Sequence, residues 1–115
     1  MKISMIRGDI HSINFTVYGS NGQPTELSFD NIFFTVKKNF NISTASFQKR
    51  LSDGSISYDS ENQKYSFTIE PEDTDDLKYG DYVWDIELLI DGQLKQTTTG
   101  NFEILPEVTF RGNED

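Results

Sequence analysis

The chain has no cysteine, one histidine and three prolines in 115 residues. Without cysteine there are no disulfides and no thiolate-held metal sites. That agrees with folding in a reducing cytosol, where disulfides are rare. Basic residues are also scarce: ten Lys and Arg against nineteen Asp and Glu, a formal charge of −9. A nucleic-acid binder needs the opposite balance, because phosphate contacts come from Lys and Arg. The same excess of acid argues against an anionic membrane surface as partner, and reads most simply as solubility. No apolar run approaches the roughly 20 residues of a membrane-spanning helix. The segment before Arg7 is too short and too polar for a secretory signal.

What the chain does have is aromatic residues: nine Phe, five Tyr and one Trp within an apolar fraction of only 35%. A disordered chain would lack them, and each supplies a large buried area. The length suits one domain with a thin, aromatic-rich core. We place that domain at residues 1–110, with 111–115, "RGNED" from Arg111, as a solvated tail.

Period two dominates the pattern. Ile13, Phe15 and Val17 alternate with Asn14, Thr16 and Tyr18, and "GSNG" at 19–22 then offers a turn. Ile32, Phe34 and Val36 form a second inward row, with Phe33 apolar on the other side. Phe47–Leu51 reads as a short strand, Ser52–Ser55 as a turn, and Ile56–Tyr58 as a strand pairing back across it. Tyr65, Phe67 and Ile69 give the cleanest alternation. Pro71, early acids and Gly80 predict one turn of helix inside "PEDTDDLKYG". Beyond it, Tyr82, Trp84, Ile86, Leu88 and Ile90 line one face, while Asp85 and Glu87 point away. Asp91-Gly92 predicts a type I′ hairpin turn. The Thr-rich return, Leu94–Thr99, belongs near an edge or on the surface; Phe102 and Ile104 form a last strand, and Pro106 stops it. Seven to eight short strands with almost no helix predict an antiparallel β-sandwich, a small barrel being the competing architecture.

Signals for catalysis are weak. His11 has no nucleophile elbow or activated pair near it in the sequence. Glu72, Asp73, Asp75 and Asp76 lack the order of a calcium loop, and acids at a helix start are already explained by the helix dipole. The eight glycines are scattered and form no phosphate loop. With its aromatics in the core, a sandwich this small leaves little for a deep pocket. The chain reads as a non-enzyme, with no cofactor, metal or small-molecule substrate expected.

Arg7-Gly8-Asp9 has two readings: the tripeptide that adhesion receptors grip, or a turn that aims one strand into the next. Phe40 and Ile42, apolar in the polar loop "KNFNIST", are the candidate partner-binding residues. Their competing reading is that they fold back over the open end of the sandwich.

Four stretches in order, over Ile6–Thr109, resemble the N-terminal domains of baseplate upper proteins and related tail proteins in phages of Gram-positive bacteria. They are "RGD" leading into the strand with Phe15, "GSNGQPTEL" followed by "IFFTVKK", "TIEPEDTDDLKYGDYVWDIEL", and "TGNFEILPEVT". The resemblance implies an immunoglobulin-like β-sandwich and a virion structural role in the tail or baseplate, after synthesis in the host bacterial cytoplasm. Its implied partners are other virion subunits, with a homo-oligomer as a further option, and it carries over no saccharide-binding residue. It also implies that the Arg-Gly-Asp stands where the first long strand begins, with Gly8 bending and Asp9 bonding a nearby amide. A carbohydrate-binding or adhesin-like module, acting through Tyr58 or Tyr79, is the alternative.

Overall fold

Strict alternation of apolar and polar residues can be satisfied only by sheets with one face turned inward, and the chain builds two of them. The structure, a computed structural model, describes residues 2–18, 22–24 and 29–107. In chain order these form β1 (Lys2–Ile6), β2 (His11–Phe15), β3 (Asn31–Lys37), β4 (Phe47–Arg50), β5 (Ile56–Asp59), β6 (Lys64–Ile69), the helical turn α1 (Pro71–Thr74), β7 (Gly80–Ile90) and β8 (Gln93–Leu105). One sheet has the order β1-β8-β7-β3-β4 and the other β2-β6-β5. Their inner faces share a core that includes Ile3, Met5, Phe34, Phe67, Trp84 and Phe102. Trp84 is 3% exposed on β7, which lies between β3 and β8. The architecture is a β-sandwich.

The predicted rows hold where alternation is clean. Ile32, Phe34 and Val36 are fully buried, as is Ile69, with Tyr65 and Phe67 nearly so. Phe34 lies at the centre of an aromatic cluster, 4.4 Å from the Phe67 ring and within about 6.2 Å of Phe47 and Trp84. At the predicted hairpin, Asp91 and Gly92 have φ of 54° and 74° and join β7 to β8. Pairs of positive φ give the turn a twist that matches the strands it connects.

Four expectations need correction. Lys2–Ile6 is a strand that the sequence reading did not include; its alternating Ile3 and Met5 are buried. Its pairing with β8 is parallel, so the larger sheet is mixed rather than antiparallel throughout. Leu94–Thr99 and the Phe102 strand are one continuous strand of 13 residues. A predicted strand count within seven to eight therefore survives because one omission and one split cancel.

The fourth correction is the hairpin expected from Phe47 to Tyr58. Instead β4 pairs with β3 in the larger sheet and β5 with β6 in the smaller. The inward side chains explain the crossing. Phe47 reaches Phe34 and Phe102, while Ile56 (1% exposed) comes from the opposite sheet, level with Phe67. A hairpin would have put both on one sheet. The crossover is held locally: Ser55 donates its amide and hydroxyl to Asp53 Oδ1 at 2.9 and 2.6 Å, and Gly54 takes a φ of 84°. Those bonds lower the Asp53 pKa. Of the predicted turn at 19–22, residues 19–21 lie outside the described residues, as does the tail at 111–115.

Candidate functional site

Three features outside the core can carry a function: the Arg7–Asp9 corner, the Phe40 loop, and a cleft where the sandwich is open.

The corner carries the chain from β1 in one sheet to β2 in the other. Gly8 is buried with a φ of 82°, and its amide donates to Thr74 Oγ1 at 2.9 Å, a fully buried hydroxyl at the end of α1. Any side chain would be strained at that φ. Arg7 is equally engaged. Its guanidinium lies 4.3 Å from the centre of the Tyr79 ring, pairs with Glu107 at 3.2 Å and donates to the Leu77 carbonyl at 3.4 Å. Asp9 closes the bend with its own amide, to Ile6 O at 3.1 Å, while its side chain is exposed. A receptor needs the Arg and Asp side chains free together at a projecting tip. Here the Arg belongs to the wall of the protein.

In the loop after β3, Phe40 is 63% exposed and Ile42 37%. Neither folds back over the end of the sandwich. Asn41 N bonds Asn39 Oδ1 at 2.9 Å and Ile42 N bonds Asn39 O at 3.4 Å, so a local turn presents the Phe40 ring outward.

The other sequence candidates are dispersed. His11 stands partly buried at the start of β2, opposite Ile69 and in one row with Ile13 and Phe15. Asp73 belongs to the cap of α1: it accepts the Glu70 amide at 2.7 Å and pairs with Lys49 at 2.6 Å, both side chains largely covered. Glu72, Asp75 and Asp76 are exposed. Among the described residues no group of three or more acidic or histidine side chains could hold a metal ion. Tyr58 packs against Tyr65 at 4.6 Å, and one face of Tyr79 carries the Arg7 guanidinium. On the outer face of the larger sheet, Asp85 has a buried Oδ1 with no hydrogen-bond partner. Burial first, then the Glu87 charge, raises its pKa, while Lys37 partly opposes the shift.

The cleft is the feature the sequence did not disclose. The smaller sheet does not extend over the upper half of β8, and between β2 with its continuation to Tyr18 and residues 96–99 lies a crevice of about 370 Å³. Phe15, Val17, Phe67, Ile86 and Leu88 line it, with Thr98 at its rim. None of the described residues that line it is charged. The size falls at the small end of ligand pockets, roughly 300–1,000 Å³. A sandwich with its aromatics in the core was expected to leave little space, yet some of those same aromatics form this wall. The residues of β8 that border it, Gln96, Thr98 and Thr99, were legible only as a weakly apolar strand. Its wall is largely apolar, and among the described residues no carboxylate or histidine lines it. No protein-family model matches the chain, and no curated protein matches it.

Proposed function

We propose that the chain is a structural domain of a phage or prophage virion, in the tail or baseplate, working by protein–protein contacts. The resemblance over Ile6–Thr109 motivates the assignment. The observation that carries the contact role is the outward Phe40, 63% exposed beside Ile42 on a polar loop. Covering that ring and the neighbouring Ile42 with a partner surface would bury apolar area and so favour contact.

An immunoglobulin-like form of the sandwich fits the same reading. β2, β5 and β6 oppose β3, β7 and β8, the grouping found in such domains. Tyr82, near the start of β7, donates its hydroxyl to the Lys78 carbonyl at 2.8 Å, as a tyrosine corner does. The buried Trp differs: it lies on β7, and the strand that carries it in antibody domains corresponds here to β3, with Phe34. The carbohydrate-binding alternative is weaker, because Tyr58 packs on Tyr65 and Tyr79 on Arg7, which reduces the ring surface a sugar could stack on.

The test is to purify tails from the producing cells and to place a photo-crosslinking residue at position 40. The chain is expected to co-purify with the tails and to crosslink to another tail subunit. Tails that lack the chain, while it accumulates in the host's soluble fraction, overturn the proposal.

A further inference from the structure

We infer that one end of the sandwich docks as a single surface onto a different protein subunit, one with an apolar centre and a basic rim. It is the end that carries both the Arg7–Asp9 corner and the Phe40 loop. This rests on the contact role above and names the full surface and the chemistry of the partner.

The topology gathers that surface from segments far apart in sequence. β7 begins at this end and β8 finishes there, with Gly80 opposite Ile104. Tyr79 is one residue before Gly80, and Leu105 one residue after its partner. β1 runs parallel to β8, so Ile6 lies opposite Leu105. β3 also ends here, Lys37 pairing with Val83, and the loop after it carries Phe40 and Ile42. Lys38 fastens that loop to β7: it donates to the Asp81 carbonyl at 3.1 Å, with its ammonium 4.5 Å from the centre of the Tyr82 ring. Ile10 joins from the other sheet, directly before β2.

Apolar exposure is concentrated at this end. Nine large apolar side chains are exposed among the described residues, and six of them belong here: Ile6, Ile10, Phe40, Ile42, Tyr79 and Leu105. Ile10 is 66% exposed and Phe40 63%. The other three, Tyr18, Tyr58 and Leu94, lie toward the opposite end, beyond or beside Phe15, Tyr65 and the β7–β8 turn. Single apolar residues scattered over a surface are ordinary, whereas a group of them marks a contact surface. From β1 to β3 the group spans three inter-strand spacings, about 14 Å. Its Tyr and Phe are residue types enriched where interfaces are most buried.

Charge selects the occupant. Around this end Asp9, Glu72, Asp75, Asp76 and Asp81 are exposed, against exposed Lys38 and Lys78. Arg7 is paired with Glu107, and Lys49 with Asp73. Two copies meeting end to end would set acid against acid on chains that each carry −9. An anionic membrane is repelled for the same reason. A subunit with Lys and Arg around an apolar patch complements both the rim and the centre.

The test places a photo-crosslinking residue in the full chain, in producing cells, at position 10, 40 or 105, and at 18, 58 or 94 as controls. The first three are expected to reach one and the same protein, at apolar residues flanked by Lys or Arg, and the controls are not. Phe40→Ser, which leaves thermal unfolding unchanged, should lower the yield from position 10 about tenfold, as loss of an anchoring ring does. Asp76→Lys combined with Asp81→Lys should lower it too, and Leu94→Ser should not. Equal yields from the control positions, different proteins reached from positions 10 and 40, or an unchanged yield in Phe40→Ser overturn the inference. Crosslinks between two copies of the chain, or to lipid, assign another occupant and equally overturn it. If the chain is present in tails but only position 40 crosslinks, the end surface fails and the virion role stands. If the chain is absent from tails while all three positions reach one protein, the virion role fails and the end surface stands.

Discussion

The Arg7–Asp9 corner depends on one hydroxyl, and Thr74→Val removes it while keeping shape. In the native protein the buried Gly8 amide donates to Thr74 Oγ1 at 2.9 Å, and Thr74 has no exposed surface. Valine replaces the acceptor with a methyl and leaves the amide without a partner. An unsatisfied buried donor costs about 1–3 kcal/mol. For a domain of this size that lowers Tm by roughly 4–15 °C. Thr74→Ser separates the two parts of the side chain: it keeps the bond and loses one buried methyl, about 1 kcal/mol. Urea unfolding is well suited to the measurement, since Trp84 is the sole tryptophan and is almost fully buried. Hydrogen exchange at Gly8 should quicken in the valine variant and stay near native in the serine variant. If valine is as stable as wild type, or more stable than serine, the hydroxyl does not hold the corner and the argument for a fixed Arg7 weakens with it.

Other outcomes follow from the same structure. Phe34→Ala should cost about 3–5 kcal/mol, whereas Phe40→Ala, on an exposed ring, should stay within about 0.5 kcal/mol in calorimetry; equal losses would refute the division between core and rim. Asp85→Asn should raise stability at pH 7 by a fraction of about 1 kcal/mol, since it removes a partly buried charge that Glu87 repels, while solvent screening and the lost attraction to Lys37 offset part of the gain. The Asp85 pKa is raised in the folded state, so ionisation opposes folding above that pKa. The gain should shrink as pH falls toward the ordinary carboxylate range near 4 and vanish below it; a gain that persists at pH 3 would refute the charge argument. Folded protein coated on a surface should support no more Arg-Gly-Asp-dependent cell adhesion than its Asp9→Glu variant, while a free peptide spanning Ile6–Ile10 competes for the receptor; adhesion lost on Asp9→Glu would refute the fixed corner.

The strands with clean alternation were legible because a period of two has one physical solution when half the residues are apolar. Tyr65, Phe67 and Ile69, or Tyr82 through Leu88, can be gathered on one side only in extended backbone. Asp91-Gly92 was legible for an equally local reason, the low cost of positive φ at both positions. β1 was missed because its five residues, with charged and polar neighbours, give only two inward side chains. The Phe47–Tyr58 hairpin failed because local turn chemistry cannot report which sheet each strand will join. Of the candidate site, the apolar Phe40 and Ile42 were visible as residues out of place in a polar loop. The cleft was not visible at all.

By itself, then, the order of residues determined that this chain forms strands around an aromatic interior, with no thiol chemistry and an excess of acidic side chains. Those properties depend on neighbours one to four positions away and on composition. Only the folded molecule decided that Arg7 lies against Tyr79 and Glu107, that β4 and β5 part to opposite sheets, and that β1 pairs in parallel with the last five residues of β8. Each of these joins segments distant along the chain, and such pairings are selected by packing and hydrogen bonding across the whole structure rather than by any single stretch of it.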